Sequence, residues 1–155
     1  LEGNQFNIDT DRIYLVGHSA GGHLVTQLLT AVWSAFDPRL PDDLIKGGMT
    51  ISGIYDLEPL LYADFLQKDL HLNLQNVEKL STAYLPPNPH TQLITAVGSL
   101  ESSEFIRQNK LLGTQWKNHL INDVAMPGKH HFNVVDDLMD TSKPLTKSLL
   151  QMIHG

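Results

Sequence analysis

The chain has 155 residues, 41% of them apolar and 18% charged, with a formal charge of −6; these proportions fit one globular domain with a sizeable core. Its 11 basic residues are scattered, which excludes the clustered positive charge that a nucleic-acid backbone or an anionic membrane surface requires. Without cysteine there are no disulfides or thiolate metal sites, no apolar run nears the ~18 residues of a membrane span, and the expected setting is cytoplasmic.

In chain order, the polar stretch Asn7 to Arg12 carries Asp9-Thr10-Asp11, a turn ahead of the first strand. Ile13-Tyr14-Leu15-Val16 is short, apolar and rich in β-forming residues, the pattern of a buried strand. Gly17-His18-Ser19-Ala20-Gly21 follows, and from Gly22 the period changes. Leu24, Val25, Leu28, Leu29, Val32 and Trp33 recur on one helical face, which predicts a helix running to about Ser34.

Phe36 to Asp43 contains Asp37-Pro38 and Leu40-Pro41 and is expected as a loop; Ile45 to Ser52 is the second strand, with Gly47-Gly48 inside it. Residues 57–85 show weak helical periodicity broken by Pro59, and are expected to form short helices that cap a site. Gln92 to Gly98 is the third strand. A helix opening at Ser103-Glu104 follows, with Phe105, Leu112 and Trp116 sharing a face. Leu120 to Met126 is the fourth strand, Pro127-Gly128 a turn, and Ser142 with Pro144 begins a last helix bearing Leu145, Leu149, Met152 and Ile153. Strands alternating with helices give an α/β class: a mainly parallel sheet with helices on both faces.

The five residues Gly17 to Gly21 match G-x-S-x-G, and a strand before them and a helix after them make the pattern a nucleophile elbow. Ser19 then sits on a strained corner that projects its hydroxyl, and the Ala20 N–H, at a helix N-terminus, can donate to an oxyanion. Gly17 and Gly21 are expected to be glycine because a Cβ at either position would clash where strand and helix close together.

A serine hydroxyl needs an imidazole base, and the imidazole needs a carboxylate to hold its tautomer. In parallel sheets such groups gather in the loops after strands, here in the order Ser, acid, His. The third strand is followed by Ser99-Leu100-Glu101-Ser102 and the fourth by Lys129-His130-His131-Phe132. Glu101 and His131 fill the two roles. The bland alternative for Glu101 or Glu104 is a solvated loop acid. His130 beside His131 lacks a regular ligand set, so no metal is expected. His18 and His23 flank the elbow as supporting or exposed residues, and Asp56 is expected as a helix cap.

Several segments together resemble one enzyme family. Gly17-His18-Ser19-Ala20-Gly21-Gly22-His23-Leu24, Ser52-Gly53-Ile54-Tyr55-Asp56-Leu57 with Pro59-Leu60, Val97-Gly98 with Ser102, Glu104-Phe105 and Gln108, and His131-Phe132 are similar to the kynurenine formamidases (arylformamidases). That family belongs to the esterase branch of the α/β-hydrolases related to hormone-sensitive lipase. The resemblance implies the C-terminal part of an α/β-hydrolase fold, in which Ser19 is the nucleophile, His131 the base and Glu101 the acid. The family usually has aspartate at the acid position. Its upstream His-Gly-Gly-x-Trp oxyanion motif has no counterpart among these residues.

The implied reaction is hydrolysis of N-formylkynurenine to kynurenine and formate by a Ser-His-acid triad, with a small-molecule substrate and no cofactor. The alternatives are a carboxylesterase for small acyl esters and a non-catalytic hydrolase-like fragment. A chain that opens Leu1-Glu2-Gly3 and reaches Ser19 so early is expected to be the later part of a longer protein. Ile13 to Val16 would then be an exposed edge, inviting aggregation or pairing as a homodimer, and the fragment alone would be inactive.

Overall fold

The structure, a computed structural model, describes residues 3–155. Four strands, β1 (Ile13–His18), β2 (Ile45–Ile51), β3 (Gln92–Gly98) and β4 (Leu120–Met126), form one sheet in the order β1-β2-β3-β4. All three pairings are parallel, with Val16 opposite Met49, Met49 opposite Ile94 and Ile94 opposite Asn122. The Arg12 N–H donates to the Asp9 carbonyl at 3.2 Å, so the expected turn delivers the chain into β1.

Among the described residues six α-helices accompany the sheet: α1 (Ala20–Leu29), α2 (Trp33–Phe36), α3 (Asp64–Leu70), α4 (Leu74–Leu80), α5 (Ser103–Gln115) and α6 (Pro144–His154). Two cores lie on opposite faces of the sheet. Val25 and Leu29 of α1 and Leu112 of α5 pack with Leu93, Tyr55 and Trp116 on one face. On the other, Leu145 and Met152 of α6 pack with Met49, Ile51, Ile94 and Val124. Each fully buried aliphatic side chain contributes about 1.5–3 kcal/mol relative to exposure. Gly48 makes the first packing close: a Cβ there would lie 2.6 Å from Val25 Cγ1.

The first helix starts at the corner as expected but ends early. It begins at Ala20, directly after Ser19, and stops at Leu29 rather than running to about Ser34. The Leu29 carbonyl, which helix continuation would require, instead accepts from the Asn88 N–H at 2.9 Å. Val32 is extended and Trp33 starts the separate one-turn α2. The buried face of α1 is Gly22, Val25, Thr26 and Leu29, whereas Leu24, Leu28 and Val32 are exposed. Thr26 is turned inward by its hydroxyl, 2.7 Å from that of the buried Thr82. Between β2 and β3 the chain makes a 3-10 turn (Glu58–Tyr62), then α3 and α4, then a second 3-10 turn (Thr82–Tyr84).

Candidate active site

Ser19 stands between β1 and α1 with φ 56° and ψ −121°, a conformation that L-residues rarely adopt. Its N–H donates to the Ile51 carbonyl at the end of β2 (2.9 Å), which ties the corner to the sheet. The Ser19 side chain makes no capping bond to its helix, so Oγ is left for other work. A Cβ on Gly17 would fall on the Gly21 carbonyl, as the elbow demands. The expectation for Gly21 fails: a Cβ there meets nothing within 4 Å. Gly22 is the tight position instead, with a Cβ 2.5 Å from Thr50 Oγ1, because that residue and not Gly21 faces the sheet.

The loops after β3 and β4 are laced together. The Ser99 N–H donates to the Met126 carbonyl and the Leu100 N–H to the Lys129 carbonyl, both at 3.0 Å. The Gly128 N–H donates to Ser99 Oγ at 2.9 Å. This lacing brings Glu101 beside His131. Glu101 Oε2 lies 2.7 Å from His131 Nδ1, and His131 Nε2 lies 3.0 Å from Ser19 Oγ. A carboxylate only accepts, so Nδ1 carries the ring proton and Nε2 accepts from the Ser19 hydroxyl.

The Glu101 side chain is fully buried, and an unpaired buried carboxylate would be costly. Its second oxygen is satisfied. Oε1 accepts from Ser52 Oγ at 2.5 Å and from the Gly98 N–H at 2.8 Å. Phe105 packs on the His131 ring with centroids 4.3 Å apart, rather than joining Leu112 and Trp116 in the core. His18 supports the same loop: its Nε2–H donates to the His131 carbonyl at 2.8 Å.

The other candidates lie elsewhere. Glu104 binds Arg107 and Gln108, and hydrogen bonding from Arg107 holds its carboxyl below the ordinary value of 4.5. Asp56 is not the helix cap expected, because the 3-10 turn after it has Leu57 at the cap position without a side-chain capping bond; Asp56 Oδ1 accepts from the Glu58 N–H two residues on, while Oδ2 pairs with Arg107 at 2.8 Å. His130 Nδ1 accepts from the N–H groups of Phe132 and Asn133. Among the described residues, no three His, Asp or Glu side chains gather as a metal cluster, and no helix is long and apolar enough to cross a membrane. Ser52 and Phe105 are the residues that sequence reasoning gave no part in the site, whereas His18 takes the supporting place offered for it. A Ser-Gly pair directly after β2 was the one available signal for Ser52.

Ser19 and Ala20 open into a cavity of about 580 Å³. Its walls are Ile54, Phe105 and six leucines from Leu57 to Leu80, and His23 is the other polar side chain besides Ser19. Leu57 and the segment carrying α3 and α4 supply all six leucines. A larger space, about 800 Å³, lies at the opposite end of the sheet near Lys46, His90 and Asn122. Among the described residues that line it, no nucleophile is paired with a base.

The fold agrees with comparisons to known proteins. Residues 1–109 match a family model described as the alpha/beta hydrolase fold. Kynurenine formamidase of Salmo salar is 32% identical over 151 residues, covering 91% of this chain and 49% of that protein. Kynurenine formamidase of Danio rerio is 34% identical over 152 residues with the same coverage. The chain therefore spans about half the length of these relatives. Among solved structures, a thioesterase candidate from a Silicibacter species superposes with TM-score 0.79 at 27% identity, over 99% of this chain and 54% of that one. An acylaminoacyl peptidase of Pyrococcus horikoshii superposes with TM-score 0.68 at 18% identity, over 97% and 24%, a likeness of fold alone.

Proposed function

Since the chain belongs to the alpha/beta hydrolase family, we propose that it carries the catalytic machinery of a serine hydrolase that cleaves a small aryl formamide, N-formylkynurenine, to kynurenine and formate. The single observation behind this reading is the relay Ser19 Oγ–His131 Nε2 at 3.0 Å and His131 Nδ1–Glu101 Oε2 at 2.7 Å. The names of the two fish relatives support the substrate.

Ser19 Oγ attacks the formyl carbon as His131 Nε2 takes its proton. Negative charge gathers on the formyl oxygen, where the Ala20 N–H at the start of α1 donates. The C–N bond breaks as His131 passes the proton to the aniline nitrogen. Water, activated by the same imidazole, attacks the formyl ester; formate leaves and Ser19 regains its proton. Glu101 keeps Nδ1 protonated throughout and stabilises the imidazolium.

Ser19→Ala in the full-length protein tests this. Activity on N-formylkynurenine should fall by at least ~10³-fold, and a fluorophosphonate probe should no longer label the protein. Retention of both would refute the reading, and a wild-type protein that the probe leaves unmarked would point to a non-catalytic scaffold.

A second reading, a carboxylesterase for small acyl esters, is favoured by the cavity, whose aliphatic wall offers no charged side chain to an amino-acid substrate. The kcat/KM values for N-formylkynurenine and p-nitrophenyl acetate separate the two: a large preference for the ester selects the second.

A further inference from the structure

The cavity beside Ser19 is aliphatic or aromatic except at His23. His23 lies four residues beyond Ser19 on α1, hence one turn along the same helix face. Its Nδ1 is 2.9 Å from the Ile54 carbonyl. A carbonyl can only accept, so Nδ1 bears the ring proton and Nε2 is left with a lone pair. That Nε2 makes no hydrogen bond among the described residues. Burial lowers the His23 pKa from 6.5, which favours the neutral ring and keeps Nε2 an acceptor at neutral pH.

A substrate that fills this cavity displaces water from the lone pair. If the substrate brings no donor, a polar atom is stranded among leucines; if it brings an N–H, the atom is satisfied. A formyl group carries no donor and only a hydrogen beyond its carbonyl, so the bulk occupying the cavity is the leaving group. We propose that His23 is a specificity-determining residue: its Nε2 accepts from the N–H of an aryl amide leaving group and thereby selects the amide over the ester of the same shape. This rests on the serine-hydrolase reading above and names what that site prefers.

Formanilide and phenyl formate share the acyl group and the ring and differ in N–H against O. Intrinsic reactivity cancels when the ratio of their kcat/KM values is compared between variants of the full-length protein. His23→Phe keeps a planar ring and removes both nitrogens. His23→Asn retains an N–H that can reach the Ile54 carbonyl while removing the Nε2 lone pair. Both should lower the formanilide-to-phenyl formate ratio at least tenfold, with His23→Asn melting close to the wild type. An unchanged ratio in both variants overturns the inference while leaving the hydrolase reading intact. A ratio lost in His23→Phe but kept in His23→Asn overturns it too, because the Ile54 bond would then be what matters. A wild-type protein inert to both substrates and unlabelled by fluorophosphonate removes the hydrolase reading, and this inference with it.

Discussion

Ser52 donates its hydroxyl hydrogen to Glu101 Oε1 across 2.5 Å, and does so from φ 51°, a backbone conformation that a serine rarely adopts. Ser52 is 1% exposed, and its N–H is held by the Ala96 carbonyl at 2.8 Å. Glutamate has one more rotatable bond than aspartate, so its carboxylate must be pinned at the far oxygen if the near one is to stay on His131 Nδ1. Ser52 and the Gly98 N–H do this pinning.

Removal of the Ser52 hydroxyl should therefore release the acid. A hydrogen bond to a charged group contributes about 1.5–3 kcal/mol, so kcat should fall about tenfold to a hundredfold with KM nearly unchanged. Ser52→Ala and Ser52→Gly separate the two roles of the residue, because glycine relieves the positive φ and alanine does not. Both variants should lose kcat alike in steady-state assays of the full-length protein, with Ser52→Gly the more stable of the two. Wild-type kcat in Ser52→Gly would mean that the turn, not the hydroxyl, is what the site needs.

Much of this arrangement was legible because parallel sheets place chemistry in a small set of loops. The switch from strand to helix period around Ser19, with an acid and a histidine after later strands in the required order, marks the same loops that the structure brings together. What was illegible depends on contacts distant in sequence. The end of α1 is decided by Asn88 taking the Leu29 carbonyl, which no local pattern reports. Phe105 has the periodicity of a core residue, yet it lies on His131 because the loop after β4 folds over the start of α5. Gly21 and Gly22 are adjacent and equally small. Only the helix rotation, set by Val25 and Leu29 facing the sheet, makes the second one indispensable.

Glu104 should leave its mark on stability in acid. Hydrogen bonding from Arg107, with help from Gln108, lowers its carboxyl pKa from 4.5 in the folded protein. The unfolded chain therefore binds a proton more readily than the folded one as pH falls through that range. The stabilisation is present above pH 4.5 and is lost as pH drops through the lower folded value. The pair is 43% and 45% exposed, so solvent screening keeps the effect to about 1 kcal/mol at most. Urea unfolding of Glu104→Gln should show the deficit at pH 6.5 shrink at pH 3.5. A deficit that does not change with pH would mean that packing, not charge, is what Glu104 provides.

Alanine at the two neighbouring glycines of α1 should act with opposite sign. In a helix, alanine is favoured over glycine by up to about 1 kcal/mol, and a Cβ on Gly21 meets open space. Gly21→Ala should therefore be neutral or stabilising. A Cβ on Gly22 would stand 2.5 Å from Thr50 Oγ1 and 3.0 Å from the Gly53 Cα. Thr50 cannot readily give way, because its hydroxyl is bonded to Tyr55 OH at 2.5 Å and both residues are 0% exposed. Relief must come from moving α1 off the sheet, and overpacking of that kind costs about 1–3 kcal/mol. The same movement would carry Ser19, the residue preceding α1, away from His131. Gly22→Ala should thus lower both the urea midpoint and kcat, while Gly21→Ala lowers neither midpoint nor fluorophosphonate labelling. If Gly22→Ala unfolds at the wild-type midpoint and keeps full activity, the contact between α1 and Thr50 is looser than the structure places it, and the fit of the elbow against β2 does not depend on this glycine.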